Sequence, residues 1–376
     1  MGAKMIGKGK IPISHPSVAK GPGQASHLPF VVEVRPESAN IPLEELLDWI
    51  TENSVWREEQ LHRAGAILFR GFSALRTAED FAALAQRMSP EILDYAGGTT
   101  PRSAVTGKIV TSSDAPRHLV IGLHQEMSYL APSSASPDPT PDKVMFFCET
   151  APGGGGQTPI ADMRAVYRKL PIELIDRFRS KGGLVLHRKL PIVKRYGFEV
   201  TWGTAFGTKD PAELERIAKQ NGWFIKWSKD GGLEITHRPS PVVLTHRVTG
   251  ENIWFNQAHL LHKSVAPWKS AWLGPSVPQR LKARALQPFI RDRFFYHSTH
   301  ADGSEIALLD LDCIRRVVAE EMVLFDWRRG DVLLIDNKLV AHGRQPYEPP
   351  RTIFAALLAD TPRTTQSAIP SGSNAN

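Results

Sequence analysis

The stretch DVLLIDNKLVAH, Asp331–His342, carries an aliphatic run toward a histidine. Asp331–Ile335 is short and rich in strand-forming residues, so it reads as a β-strand. The segment Asp336–Ala341 follows it and delivers His342. Working outward, Ala66–Phe69, Val144–Cys148, Glu251–Phe255, Glu305–Leu309 and Thr352–Leu358 read as further strands. Helical spacing marks Ile41–Leu61, Ala78–Met88 (stopped by Ser89-Pro90), Asp162–Leu170 and Pro211–Asn221. Tyr95–Arg117 is dominated by Gly, Thr, Ser and Pro and reads as a long loop, with a second loop over Ala131–Asp142. Strands toward both ends, with helices and insertions between them, predict a mainly β protein with flanking helices, a sandwich whose sheets meet around a cavity.

The chain has 376 residues, 41% of them hydrophobic, enough for a large core without staples. Residues 1–29 are expected to form a flexible arm, 30–363 one domain, and 364–376 a disordered tail. Two cysteines, Cys148 and Cys313, form no Cys-x-x-Cys pair, which argues against a disulfide scaffold or thiolate zinc site and fits a cytoplasmic protein. No stretch has the length and apolarity of a signal peptide or membrane span. The net charge of +7 comes from 46 basic and 39 acidic residues that are scattered, with no zinc-finger spacing or long basic run. That pattern argues against nucleic acid and suits an anionic small substrate or an acidic protein carrying one.

His124-Gln125-Glu126 places an imidazole and a carboxylate two residues apart. In an extended segment both side chains share a face, so one ion can meet both. With His342 as the third ligand, two histidines and one carboxylate form the facial triad of non-haem iron, leaving three positions open. His-x-acid occurs once more, at His300-Ala301-Asp302, but Gly303-Ser304 makes that segment read as a turn. A histidine paired locally with Glu126 is the plain alternative. His259 and His262, three apart, read as packing or supporting residues. Asn256, in Trp254-Phe255-Asn256-Gln257, either orients a substrate or caps the next turn. Arg102, in the long loop, Tyr129 and Arg344 are the other substrate candidates, Tyr129 only if the strand ends by Met127.

Several segments together resemble the TauD/TfdA-like iron(II), 2-oxoglutarate-dependent dioxygenases, most closely the amino-acid hydroxylase-like members associated with antibiotic and nonribosomal peptide biosynthesis. The resemblance runs from about Ala64 to Asp360. It is carried by Gly65–Gly71, His124–Tyr129, Gly155–Asp162, Trp254–Gln257, Arg329–Asn337, His342–Tyr347 and Pro350-Arg351. It implies a double-stranded β-helix, the cupin-like jelly roll, with helical insertions. It also implies Fe(II) on His124, Glu126 and His342, with 2-oxoglutarate and O2 as cosubstrates and succinate and CO2 as coproducts. Glu126 fills the position that halogenating members leave empty, which implies hydroxylation. Arg351, nine residues beyond His342, is the implied partner of the far 2-oxoglutarate carboxylate, with Arg344 as the alternative, and Thr158 is an implied hydroxyl donor to it. The implied substrate is a free amino acid, or an aminoacyl group on an acidic carrier protein. Alternatives are another small organic acid such as a sulfonate, desaturation or epoxidation, and a metal-binding sandwich without catalysis.

Overall fold

The structure is a computed structural model that describes residues 13–14, 28–34, 40–95, 97–100, 102–133, 137–194, 200–264 and 296–363. Most of the expected N-terminal arm and all of the expected C-terminal tail lie outside these residues. Ile13–Ser14 pairs with the strand Phe30–Val34 at the edge of the large sheet.

The large sheet is centred on Val332–Asp336, flanked by Ala66–Arg70 on one side and Lys143–Thr150 on the other, with Thr352–Ala359 next to Lys143–Thr150. These strands are buried on both faces, and the period of two sorts their side chains cleanly. Ile67, Phe69, Met145, Phe147, Val332 and Leu334 enter one core with the helices Leu43–Glu52 and Ala78–Met88. Leu68, Val144, Phe146, Leu333 and Ile335 enter the other, which lies toward the site. Ala78–Met88 starts where expected because Thr77 and Asp80 form a reciprocal capping box.

The chain leaves Val332–Asp336, turns over Asn337–Leu339, and enters a second sheet as the strand Val340–Arg344. Asp336 shapes this corner by accepting the Lys338 and Leu339 amides at 2.9 and 3.1 Å. In the second sheet Val340–Arg344 lies between Ile160–Asp162 and Ile121–His124. A third sheet, made of Phe224–Trp227, Leu233–Thr236, Leu184–Leu190 and Tyr296–His300, has its own small core with Trp202, Phe206 and Leu214.

Three segments differ from expectation. Ile41–Leu61 is two helices, Leu43–Glu52 and Ser54–Ala64, that break at Asn53. Tyr95–Arg117 contains a short hairpin, Ala104–Thr106 with Ile109–Thr111. Glu305–Leu309 is no strand. It leads into the helix Leu308–Glu320, whose Leu311, Ile314, Val317 and Val318 make one buried stripe. A five-residue apolar run cannot by itself separate a strand from a helix start.

Candidate active site

His342 and His124 are direct partners across adjacent antiparallel strands, and their ring centroids lie 4.5 Å apart. Gly343 allows this approach. A Cβ there would lie 2.5 Å from the Ile121 carbonyl oxygen, closer than any side chain tolerates.

The segment is extended only as far as His124, so Glu126 is presented by a turn rather than by a strand. Met127 has φ 58°, the left-handed region, which costs a non-glycine residue on the order of 1 kcal/mol. Asn337, from the sheet-to-sheet corner, holds the turn in place. Its side-chain oxygen accepts the Glu126 amide at 2.6 Å, and its nitrogen donates to the Glu126 and Pro141 carbonyls at 3.0 and 2.9 Å. Gln257 donates to the Gln125 carbonyl at 2.7 Å, and His259 meets the Leu123 carbonyl at 3.0 Å. His259 thus supports the strand, as expected. Asn337 was not foreseen, because nothing in its residue type reveals a bond to a distant backbone.

One donor atom from each of His124, Glu126 and His342 lies within 4.8 Å of the others, a span one ion can bridge. The imidazoles have suitable lone pairs. His124 Nδ1 lies 2.8 Å from the Gly122 carbonyl, so that nitrogen carries the proton and Nε2 is left to ligate. Among the described residues neither buried ring nitrogen of His342 makes a hydrogen bond, and Nε2 lies 3.7 Å from Glu126 Oε2, a costly arrangement that a cation bound at one of the nitrogens would partly relieve.

Two other clusters share this composition, His62–His246–Asp336 and His262–His297–Glu305. Their tautomers oppose ligation. His246 Nδ1 accepts the Thr249 amide at 3.1 Å, so Nε2 holds the proton and points it at Asp336, 3.2 Å away. His262 Nδ1 likewise accepts the Ser264 amide at 3.1 Å. The donor set of His124, Glu126 and His342 therefore fits a divalent metal such as iron(II), and these two clusters do not.

Burial, the largest single influence, would raise the Glu126 carboxyl, but Arg102, His342 and His124 together outweigh it and hold the group well below the usual carboxylate range. Arg102 Nη2 donates to Glu126 Oε2 at 2.6 Å, while its buried Nε and Nη1 make no hydrogen bond among the described residues. Burial, reinforced by His342, pushes His124 down to about 4, so the ring is neutral at physiological pH.

A small cavity joins His124 and His342 to Thr100, Arg102, Phe146, Thr158, Arg344 and Arg351. Arg351 donates to the Gly156 carbonyl at 3.2 Å and the Ser112 hydroxyl at 3.3 Å, and it has no acidic partner among the described residues. Burial, with Arg344 nearby, pushes its guanidinium down to about 10. A buried cation that lines a cavity without an acidic partner suits an anion there. Thr158 accepts the Trp327 indole N–H at 3.1 Å, which leaves its own hydroxyl proton to donate.

Arg344 lines the same cavity and also grips a neighbouring loop. Its terminal nitrogens donate to the carbonyls of Ala115, Pro116 and Leu119 at 2.7 to 3.2 Å, so it braces that loop. Tyr129 lies after the strand end, but its hydroxyl donates to the Gly97 carbonyl at 2.9 Å and the ring does not line the cavity. Asn256 is the cap rather than a substrate contact: its oxygen accepts the Ala258 amide at 3.1 Å and its nitrogen faces the Val242 carbonyl. His300 packs on Phe178, and Asp302 accepts the Ser304 amide within the expected turn. A larger cavity of about 260 Å³, lined in part by Ser128, Phe255 and Lys338, includes none of the three candidate ligands.

Comparison with known proteins places the chain in a family. Residues 24–357 match the model of the taurine catabolism dioxygenase TauD, TfdA family. A clavaminate synthase-like protein of Arabidopsis thaliana is 30% identical over 345 residues, covering 88% of this chain and 93% of the relative. The dapdiamide synthesis protein DdaC of Enterobacter agglomerans is 29% identical over 303 residues, covering 80% and 84%. The crystal structure of PvcB from Pseudomonas aeruginosa shares the fold, with a TM-score of 0.50 at 15% identity and 96% and 94% coverage. No helix among the described residues is long and apolar enough to cross a membrane. With its jelly-roll fold, the chain belongs to the TauD/TfdA family of iron(II)- and 2-oxoglutarate-dependent dioxygenases.

Proposed function

We propose that the enzyme hydroxylates an unactivated carbon of an amino acid, free or carried as an aminoacyl group on an acidic protein. His124, Glu126 and His342 hold iron(II), and Arg351 with Thr158 holds 2-oxoglutarate. When bound, iron with 2-oxoglutarate and dioxygen supplies the oxidation, releasing succinate and carbon dioxide. The side chains bind, orient and exclude water. Phe146 meets the His342 ring edge to face at 5.1 Å and walls it from bulk solvent.

One observation carries the substrate reading. Arg102 spends one nitrogen on Glu126 and, among the described residues, keeps two buried nitrogens without a hydrogen bond beside the metal ligands. A planar cation with spare N–H groups suits a substrate carboxylate. The similarity to a dapdiamide synthesis protein favours a biosynthetic substrate, and the net charge of +7 suits an acidic carrier.

Anaerobic addition of iron(II) and 2-oxoglutarate should produce a visible charge-transfer band. Arg351→Ala should weaken 2-oxoglutarate binding by roughly 10- to 100-fold, the loss of a charge-assisted pair, with iron binding retained. Succinate release should then be stimulated within a panel of free and carrier-bound amino acids. A panel without a single responder would overturn the substrate assignment.

A further inference from the structure

Gly97–Thr100, the segment leading toward Arg102, belongs to no helix or strand. Each of its four carbonyls is instead held by a side chain. Gly97 accepts from the Tyr129 hydroxyl and from Arg188 Nη1, both at 2.9 Å. Gly98 accepts from Arg188 Nη2 at 3.1 Å, Thr99 from the Tyr296 hydroxyl at 3.4 Å, and Thr100 from the Tyr95 hydroxyl at 2.9 Å. The Tyr95 ring also lies under the Arg102 guanidinium, 4.3 Å away. Two glycines are needed here. Gly97 has φ 75°, and a Cβ on Gly98 would fall 2.1 Å from the Tyr95 hydroxyl oxygen.

Arg188 is the centre of this cradle. It is 1% exposed, on the strand Leu184–Leu190 between the cross-strand partners Tyr296 and Ile235. Among the described residues it makes no ion pair. Its charge rests on two carbonyl dipoles and on the Phe206 and Tyr296 rings, each 5.6 Å away. A buried cation normally takes an acid. Here it takes the backbone of the segment that ends beside the metal ligands.

We propose that Arg188 is a positioning residue: it fixes Gly97–Thr100 and so holds Arg102 against Glu126 with two donors turned to the substrate. This rests on the reading above that Arg102 receives the substrate carboxylate. It assigns the third sheet, which carries none of the iron ligands, a part in substrate recognition.

The test uses the full-length protein and needs no known substrate for its first arm. Phenylglyoxal modification of Arg102, followed by peptide mass spectrometry, should be slow in the wild type, whose Arg102 side chain is 3% exposed. It should be about tenfold faster in Arg188→Gln and intermediate in Arg188→Lys, which keeps the charge but loses the fork. Amide exchange over 97–103 should rise in parallel, while the iron(II)–2-oxoglutarate band stays unchanged. Where Arg188→Gln does not fold, Tyr129→Phe removes one of the two bonds to the same carbonyl and should speed the modification by a few fold. For any of the twenty free amino acids that stimulates succinate release, Arg188→Lys should raise KM about tenfold with kcat changed less than about twofold. Unchanged Arg102 reactivity in folded Arg188→Gln, or in Tyr129→Phe where that variant stands in for it, would overturn the proposal. Retained amino-acid-dependent succinate release in Arg102→Gln would instead overturn the carboxylate reading and leave the cradle standing.

Discussion

The triad of His124, Glu126 and His342 and the cluster of His62, His246 and Asp336 hold the same kinds of side chain at the same mutual reach. One hydrogen bond decides between them. His124 Nδ1 meets a carbonyl, whereas His246 Nδ1 meets an amide. The first bond leaves the opposite nitrogen with a lone pair, and the second leaves it with a proton. Composition and proximity therefore nominate metal sites, and the neighbouring backbone decides among them.

The two regions are also linked. The second cluster steadies Asp336, Asp336 shapes the corner, and the next residue, Asn337, brackets Glu126. The larger expected effect follows from this contrast. His342→Ala should weaken manganese(II) or iron(II) binding by more than about 100-fold, measured by calorimetry. His246→Gln should keep one metal per chain and cost about 1 kcal/mol of stability. Loss of metal in the second variant with the first unaffected would reverse the assignment.

A smaller effect should come from Asn337→Ala, which leaves the Glu126 amide and two carbonyls without their partner. We expect about 2 kcal/mol of destabilisation and metal binding weakened by about tenfold, read by denaturant unfolding with and without manganese. Metal affinity equal to wild type would show that the turn holds itself.

The smallest effect concerns pH. The folded metal-free protein keeps His124 and His259 neutral down to about 4, whereas unfolded histidines take protons near 6.5. Between those values the unfolded chain binds more protons, so stability should fall as pH drops from 6.5 toward 4. Thermal melts in chelator should show this slope, and it should flatten in His124→Gln.

Much of the architecture was legible because the strands through the core are apolar on both faces. Ala66–Phe69, Val144–Cys148 and Thr352–Leu358 needed only that signal. Val340–Arg344 was not read as a strand, since its His-Gly-Arg end lacks any apolar pattern and its pairing is fixed by neighbours distant in sequence. The candidate ligand residues are nominated by type and by resemblance, and the structure brings them together. Asn337, Arg188 and Tyr95 escaped notice for one reason: each acts on main-chain oxygens or amides, and residue type does not say which ones. Tyr129 and Asn256 were nominated for the substrate, yet their polar groups serve the backbone too.

Gly343 makes the bite of the candidate iron site a main-chain quantity. Exchanging an imidazole or carboxylate would change which ion is preferred while leaving the span between the two strands alone. A single methyl group at Gly343 would do the opposite, prying the strands apart with every ligand intact. Tuning by side chain and tuning by spacing are thus separate controls in this molecule, and only the first is open to gradual change.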